Sequence, residues 1–176
     1  MKAIKDMTNA ELAAFVQSQT RDRGIEVVLS GGACVSIYSD NRYVSKDLDL
    51  INTRLVPRKK IRNALQEIGF SESGRYFIHP DTEFFVEFPS GPLSVGSEPV
   101  TKIDEYELET GLLRIISPTD CVKDRLAGYY FWSDLQCLEQ AALVANVKDI
   151  DLTEVEQWSK VENKYEEFIR IRDRLT

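Results

Sequence analysis

The feature that most constrains this chain is an apolar run that stops short. Ile25-Glu-Val-Val-Leu29 is rich in β-branched residues and reads as a buried strand. Ser30-Gly31-Gly32 breaks it, and Ala33 to Ser39 resumes as a short helix. A strand that ends in Gly-Gly and feeds a helix exposes backbone N–H groups at the helix N-terminus. That suits a phosphate, through hydrogen bonds and the helix dipole. Glycine serves there because a side chain would block close approach. Farther on, Asp47-Leu-Asp-Leu-Ile51 alternates polar and apolar residues, which predicts a strand. Asp47 and Asp49 then face the same side, about 6.6–6.8 Å apart along the backbone. Two carboxylates so held repel each other unless a cation joins them. Mg2+ (or Mn2+) fits, because such ions take carboxylate oxygens together with substrate phosphates.

A third carboxylate is at hand. Alternation along Glu83 to Phe88 puts Glu83, Phe85 and Glu87 on one face and Phe84, Val86 and Phe88 on the other. An acid flanked by Val86 and Phe88 is an odd place for a charge without a task. Burial would raise its pKa unless a cation sits nearby. Glu83 is the rival for the same role. An edge-strand charge that discourages aggregation is the plainer reading of Glu87.

The rest of the chain frames this segment. Thr8-Asn-Ala-Glu11 is a capping-box pattern that opens a helix with Leu12, Phe15 and Val16 on one face. Pro57 suits a helix start, with Ile61, Leu65 and Ile68 at helical spacing. Tyr76 to Ile78 and Glu83 to Phe88 form two strands joined by the turn His79-Pro-Asp-Thr82, and Lys102 to Tyr106 pairs with Leu112 to Ile116. Pro89 to Pro99, with three prolines and two glycines, reads as a surface loop. From Ser117-Pro118 onward the pattern is helical, with helices expected over Pro118–Ala127, Ser133–Ala145 and Thr153–Leu175. The expected plan is α/β (α+β): a core over 1–116 and a helical region over 117–176 packed on it.

Composition narrows the function. Among 176 residues, 22 Lys and Arg against 29 Asp and Glu leave a formal charge of −7, which argues against duplex nucleic-acid binding. Cys34, Cys121 and Cys137 form no C-x-x-C pair and His79 is the single histidine, so neither zinc nor a disulfide framework is expected. A reducing, cytoplasmic setting fits. The N-terminus has no continuous apolar signal segment, and no run of about 18 apolar residues predicts a membrane span.

Strand, Gly-Gly, helix, Asp-x-Asp on the next strand and a lone acid on a later strand resemble the polymerase-β-type nucleotidyltransferase superfamily. Ser117-Pro-Thr-Asp-Cys-Val-Lys-Asp-Arg-Leu-Ala127 and Asp134-Leu-Gln-Cys-Leu-Glu139 resemble the helical part of its abortive-infection, toxin-type and uncharacterised bacterial branch. The resemblance covers about Val27 to Ala145. It implies a mixed sheet with flanking helices followed by a C-terminal helical bundle. It also implies a nucleoside triphosphate as substrate, Mg2+ held by Asp47, Asp49 and Glu87, and transfer of a nucleotidyl group with loss of pyrophosphate. Nucleotide contacts fall, by the same resemblance, on Ser30, Gly31, Gly32, Lys46, Lys123 and Asp134. This chain departs from the family in having Gly-Gly for Gly-Ser and Glu for the commoner third Asp. Gly128-Tyr-Tyr-Phe-Trp132 also stands where an Arg-rich run is usual.

Plainer readings stand beside these. Lys123 can be an exposed helix lysine pairing with Asp120 or Asp124, Arg125 a surface residue, and Asp134 a first-turn acid after a Ser133 cap. Tyr129 to Trp132 can be core or interface filler. Two functions follow: a Mg2+-dependent nucleotidyltransferase with an unidentified acceptor (a protein, a small molecule or an RNA end), toxin-type by resemblance; or a catalytically weak nucleotidyltransferase-like binding module acting with a protein partner.

Overall fold

The computed structural model describes residues 2–176. Helix α1 (Asn9–Arg21) leads into β1 (Val27–Ser30), α2 (Gly32–Tyr38), β2 (Asp47–Asn52) and α3 (Arg58–Gln66). Strands β3 (Ser71–Ser73), β4 (Tyr76–Ile78), β5 (Phe85–Glu87), β6 (Ser94–Val95), β7 (Glu98–Pro99), β8 (Ile103–Leu108) and β9 (Gly111–Ile116) follow. The chain ends in α4 (Pro118–Trp132), α5 (Leu135–Ala145), α6 (Leu152–Val161) and α7 (Tyr165–Ile171). Among the described residues, no helix is long and apolar enough to cross a membrane.

Seven strands form one mixed sheet in the order β3-β4-β5-β2-β1-β9-β8, while β6 and β7 make a separate hairpin. At the centre, β1 runs antiparallel to β2 and parallel to β9, and β2 runs parallel to β5. Strand alternation splits the centre into two faces. Val27, Leu29, Leu48 and Leu50 are buried on one face, under α1 and its neighbours. Ser30, Asp47, Asp49 and Ile51 occupy the other face. Thr8 and Glu11 close the expected capping box at the start of α1. The apolar surface of α1 is wider than one stripe, because Ala13 and Ala14 are as deeply buried as Leu12 and Val16.

The end of β9, from which the helical region departs, is held by polar contacts as well as packing. The Tyr38 hydroxyl, buried on α2, donates to the Ile116 carbonyl at 2.6 Å, at the end of β9. Ser117 then caps α4, accepting from the Asp120 N–H, with Pro118 in the first turn. Helix α4 runs on through the aromatic segment to Trp132, past the Ala127 limit expected from sequence, and ends at Ser133 in the left-handed region. Tyr130 stacks on Trp158 at 5.8 Å between centroids, while Trp132 is 76% exposed.

Two expectations need correction. The single last helix is broken by Glu162–Lys164, where Asn163 takes φ +58°, a conformation asparagine tolerates better than most residues. The stretch Pro89 to Pro99 is not merely a surface loop. Its β6–β7 hairpin is strapped down: the Trp158 Nε1–H donates to the Val95 carbonyl, and the Glu162 carboxylate accepts from the Ser97 N–H and hydroxyl.

Removing the buried Tyr38 hydroxyl leaves the Ile116 carbonyl without that partner, so Tyr38→Phe is expected to cost about 1–2 kcal/mol. Urea denaturation should show a lower midpoint at unchanged slope.

Candidate active site

The site begins where β1 ends. Ser30 is in register with Asp49 across the antiparallel pair, and Gly31 follows at φ +71°, ψ −156°. Only glycine takes that backbone without strain. Space demands it too, because a Cβ on Gly31 would lie 2.2 Å from the Asp49 Oδ2. The Asp49 carboxylate therefore lies directly against the Gly-Gly turn. Gly32 opens α2, and a Cβ there would stand 3.2 Å from the Ser45 Oγ. Ser45 locks the next approach. Its N–H donates to the Ser36 hydroxyl on α2 at 2.8 Å, and its own Oγ accepts from the Asp47 N–H at 3.2 Å. The turn, α2 and the start of β2 are thus one hydrogen-bonded unit.

Asp47 and Asp49 share a face of β2, as expected, and Glu87 on β5 is in register with Asp49. Glu83 lies before β5 begins, exposed, with its carboxylate 2.7 Å from the Lys46 Nζ. The structure therefore separates the two rivals: Glu87 joins the aspartates and Glu83 does not. Lys46, expected at the nucleotide, points into that exposed pair. Arg75 reaches Glu87, with Nε at 3.5 Å from the carboxylate.

Electrostatics mark Asp49. Burial pushes its carboxyl up to about 6, and the neighbouring charges of Glu87 and Asp47 push the same way. Arg125 opposes the shift from α4, and Asp124 adds to it. A half-buried acid among like charges is what a bound cation relieves. Among the described residues no three His, Cys, Asp or Glu side chains converge tightly enough to grip an ion unaided. Mg2+ does not need such a cage, since it binds through one or two carboxylates, waters and substrate phosphates. Asp47, Asp49 and Glu87 offer carboxylate oxygens of the kind it takes.

Two predicted nucleotide contacts sit elsewhere. Lys123 is only 3% exposed and is held by Asp120 at 2.9 Å and Glu154 at 2.8 Å, with Glu98 at 3.6 Å. It lines a cleft of about 740 Å3 beside Ser117, Asp120, Asp151 and Glu154, away from the acids of the sheet. The plainer reading of Lys123 is nearer the structure, except that the lysine is buried. Asp134 caps α5: its carboxylate accepts from the Cys137 and Gln136 N–H groups, which hold it below the usual carboxylate range.

Sequence reading missed Asp124 and Arg125. The Arg125 guanidinium folds onto Asp124 through Nε and Nη2 and donates through Nη1 to the Gln140 Oε1 at 3.3 Å. Half-buried on α4, it is a cation whose charge reaches Asp49, Asp134 and Cys137. The available signal was helical phase. Residues 123 and 125 lie about 200° apart around an α-helix, so only one of them can face the sheet.

The mixed sheet, the Gly-Gly turn packed on Asp-x-Asp and the helices that follow define a nucleotidyltransferase fold. Two solved structures share it across nearly their full length. One is the solution structure of the antibiotic-resistance factor ANT(2'')-Ia, with TM-score 0.53 and 12% identity over 90% of this chain and 93% of that one. The other is the crystal structure of ANT(2'')-Ia in complex with adenylyl-2''-tobramycin, with TM-score 0.53 and 13% identity over 97% and 100%. No protein-family model and no curated protein matches the chain.

Three outcomes follow from the site's geometry. Gly31→Ala should displace Asp49 and cost about 1–3 kcal/mol, read by denaturant unfolding. The raised Asp49 carboxyl means that the folded chain keeps a proton the unfolded chain has released between about pH 4 and pH 6. Stability from this group is full below that window and falls by up to about 3 kcal/mol as pH rises through it. Asp49→Asn should therefore be more stable than wild type at pH 8 and nearly equal to it at pH 4, by unfolding titrations at both. Lys123→Met, which strands the buried Asp120 carboxylate, should cost about 3 kcal/mol and leave any nucleotide-induced thermal shift intact.

Proposed function

We propose that this chain is a Mg2+-dependent nucleotidyltransferase that moves a nucleoside monophosphate from a nucleoside triphosphate to an acceptor hydroxyl. The observation that carries the reading is the Asp49 carboxylate packed on the Gly31 backbone and in register with Glu87. Phosphate turn and acid cluster are thereby one site. In this reading Gly31 and Gly32 hold the phosphates, while Asp47, Asp49 and Glu87 hold the metal. The bound metal would neutralise developing charge and clamp the attacking and leaving oxygens.

The chain's own residues orient the parts. Ser45 fixes the entry of Asp47, and Arg125 offsets the acid cluster from α4. Lys46 lies on an exposed, screened pair with Glu83, so it is free to swing to a phosphate at little cost. The acceptor oxygen bonds to the α-phosphorus, the bond to the β-phosphate oxygen breaks, and pyrophosphate leaves. One structure of this fold holds adenylyl-2''-tobramycin, a nucleotidylated small molecule. That favours a small-molecule acceptor here over a protein or an RNA end. The toxin-type role rests on no residue of the site.

The binding-module reading keeps one observation, the Arg75 side chain lying on Glu87. One experiment separates the two. Thermal unfolding with each of the four nucleoside triphosphates, with and without Mg2+, is run on wild type and Asp47→Ala/Asp49→Ala, with pyrophosphate release measured in parallel. A Mg2+-dependent rise for one nucleotide is expected, of about 2.7 kcal/mol at 100 times its Kd, and lost in the double variant. Binding without pyrophosphate release would favour the module, and no shift with any nucleotide would sink both readings.

A further inference from the structure

The sheet face that carries Asp49 continues past it into a small cavity of about 100 Å3. Ser30, Ile51 and Ile116 form its sheet side, Leu93 and Val95 close it from the hairpin segment, and Asp124 reaches it from α4. Ser30 is the register partner of Asp49, and Ile51 lies two residues farther along the same face of β2. Gly31, Gly32 and Asp47 lie at the opposite end of Asp49. Asp49 thus stands between the phosphate turn and the cavity.

That order has a chemical meaning. Displacement at phosphorus places the attacking and leaving oxygens roughly in line. With the leaving pyrophosphate on the turn, the attacking oxygen arrives from the cavity side. The cavity sets the apolar Ile51, Leu93, Val95 and Ile116 beside the polar Ser30, Ser94 and Asp124, a lining that suits a group with both an apolar body and a hydroxyl. It has room for a small hydroxyl-bearing group. Among the described residues Asp124 is the one ionisable side chain in its wall, and the Arg125 guanidinium donates to its Oδ2.

We infer that Asp124 is a further catalytic residue, whose carboxylate takes the proton of the acceptor hydroxyl seated in this cavity. As that proton moves to Asp124, the acceptor oxygen forms its bond to the α-phosphorus and pyrophosphate departs with the electrons of the broken bond. The inference rests on the nucleotidyltransferase reading and adds to it the side from which the acceptor enters and the group that activates it.

The test uses the full chain with Mg2+ and the nucleoside triphosphate that shifts its melting. Pyrophosphate release is followed with water, glycerol and ethanolamine as acceptor probes. Asp124→Asn is expected to keep the nucleotide-induced shift and to lose about 100-fold or more in release. Asp124→Glu should recover part of the loss. Leu93→Trp, which fills the cavity and leaves the Asp124–Arg125 pair intact, should also keep the shift and lose release, so the test survives if Asp124→Asn fails to fold. Release at the wild-type rate in Asp124→Asn overturns the inference. So does loss of the nucleotide shift in Leu93→Trp, because the cavity would then belong to the nucleotide. A wild type that binds nucleotide but releases no pyrophosphate to any probe overturns it as well. A wild type with no nucleotide shift removes the function itself, and the inference with it.

Discussion

The contact between the Asp49 carboxylate and the Gly31 backbone is the constraint around which this structure is arranged. It forbids a side chain at Gly31 and sets the register of β1 on β2 at Ser30 and Asp49. It also draws Glu87 in through the parallel pairing with β5. The arrangement costs stability, because it holds a carboxyl in a half-buried place among like charges. Natural chains keep such costs where function demands them, and the remaining structure has to be stable enough to carry them. Here the opposite face of the same strands does that, with Leu29, Leu48 and Leu50 wholly buried.

Helix α4 is the second organising element, since its two sides do different work. One side carries the buried Asp120 and Lys123 into an ion-pair cluster whose outer carboxylates, Glu154 and Glu98, lie on α6 and β7. That cluster anchors the hairpin, which in turn roofs the space next to the sheet face. Arg125 lies about 200° around the helix from Lys123 and its charge reaches Asp49, with Asp124 between the two. A buried lysine with three carboxylates on three elements is a fastening, and its loss leaves uncompensated charge. The aromatic segment splits likewise: Tyr130 goes to the core against Trp158, while Phe131 and Trp132 face outward.

Much of this was legible in the chain because it depends on local rules. Period-two alternation identified the faces of Asp47–Asn52, glycine pairs marked the turn, and the Ser117-Pro118 cap placed the start of α4. What escaped depends on relations between distant elements. Lys123 and Arg125 are equally good cations on paper, and only the side of α4 that meets the sheet decides between them. Glu83 and Glu87 share a face in any alternation argument, and only the starting point of β5 excludes Glu83. The hairpin inside Pro89–Pro99 owes its order to Trp158 and Glu162, more than sixty residues away. Asn163 breaks the last helix because its neighbours turn back to pack, an outcome that helical periodicity alone does not show.

Charge links the fold to the chemistry proposed for it. The chain carries −7 overall, and the sheet face adds Asp47, Asp49 and Glu87 with Asp124 close by. Such a surface repels a long polyanion, whose binding needs many free cations. Under the proposed function it would not repel a nucleoside triphosphate chelated to Mg2+, because the ion would offset the acids where their repulsion is greatest. At physiological ionic strength the distant charges are screened within about 8 Å, so the local balance governs. Arg125 is already committed to Asp124 and Gln140, and Lys46 and Arg75 lie at the exposed rim. The site is therefore poor in fixed cations and rich in carboxylates. In the proposed reaction, affinity for the triphosphate would come chiefly through the metal, and nucleotide binding without a divalent ion would be disfavoured by the same acids that binding with one would require.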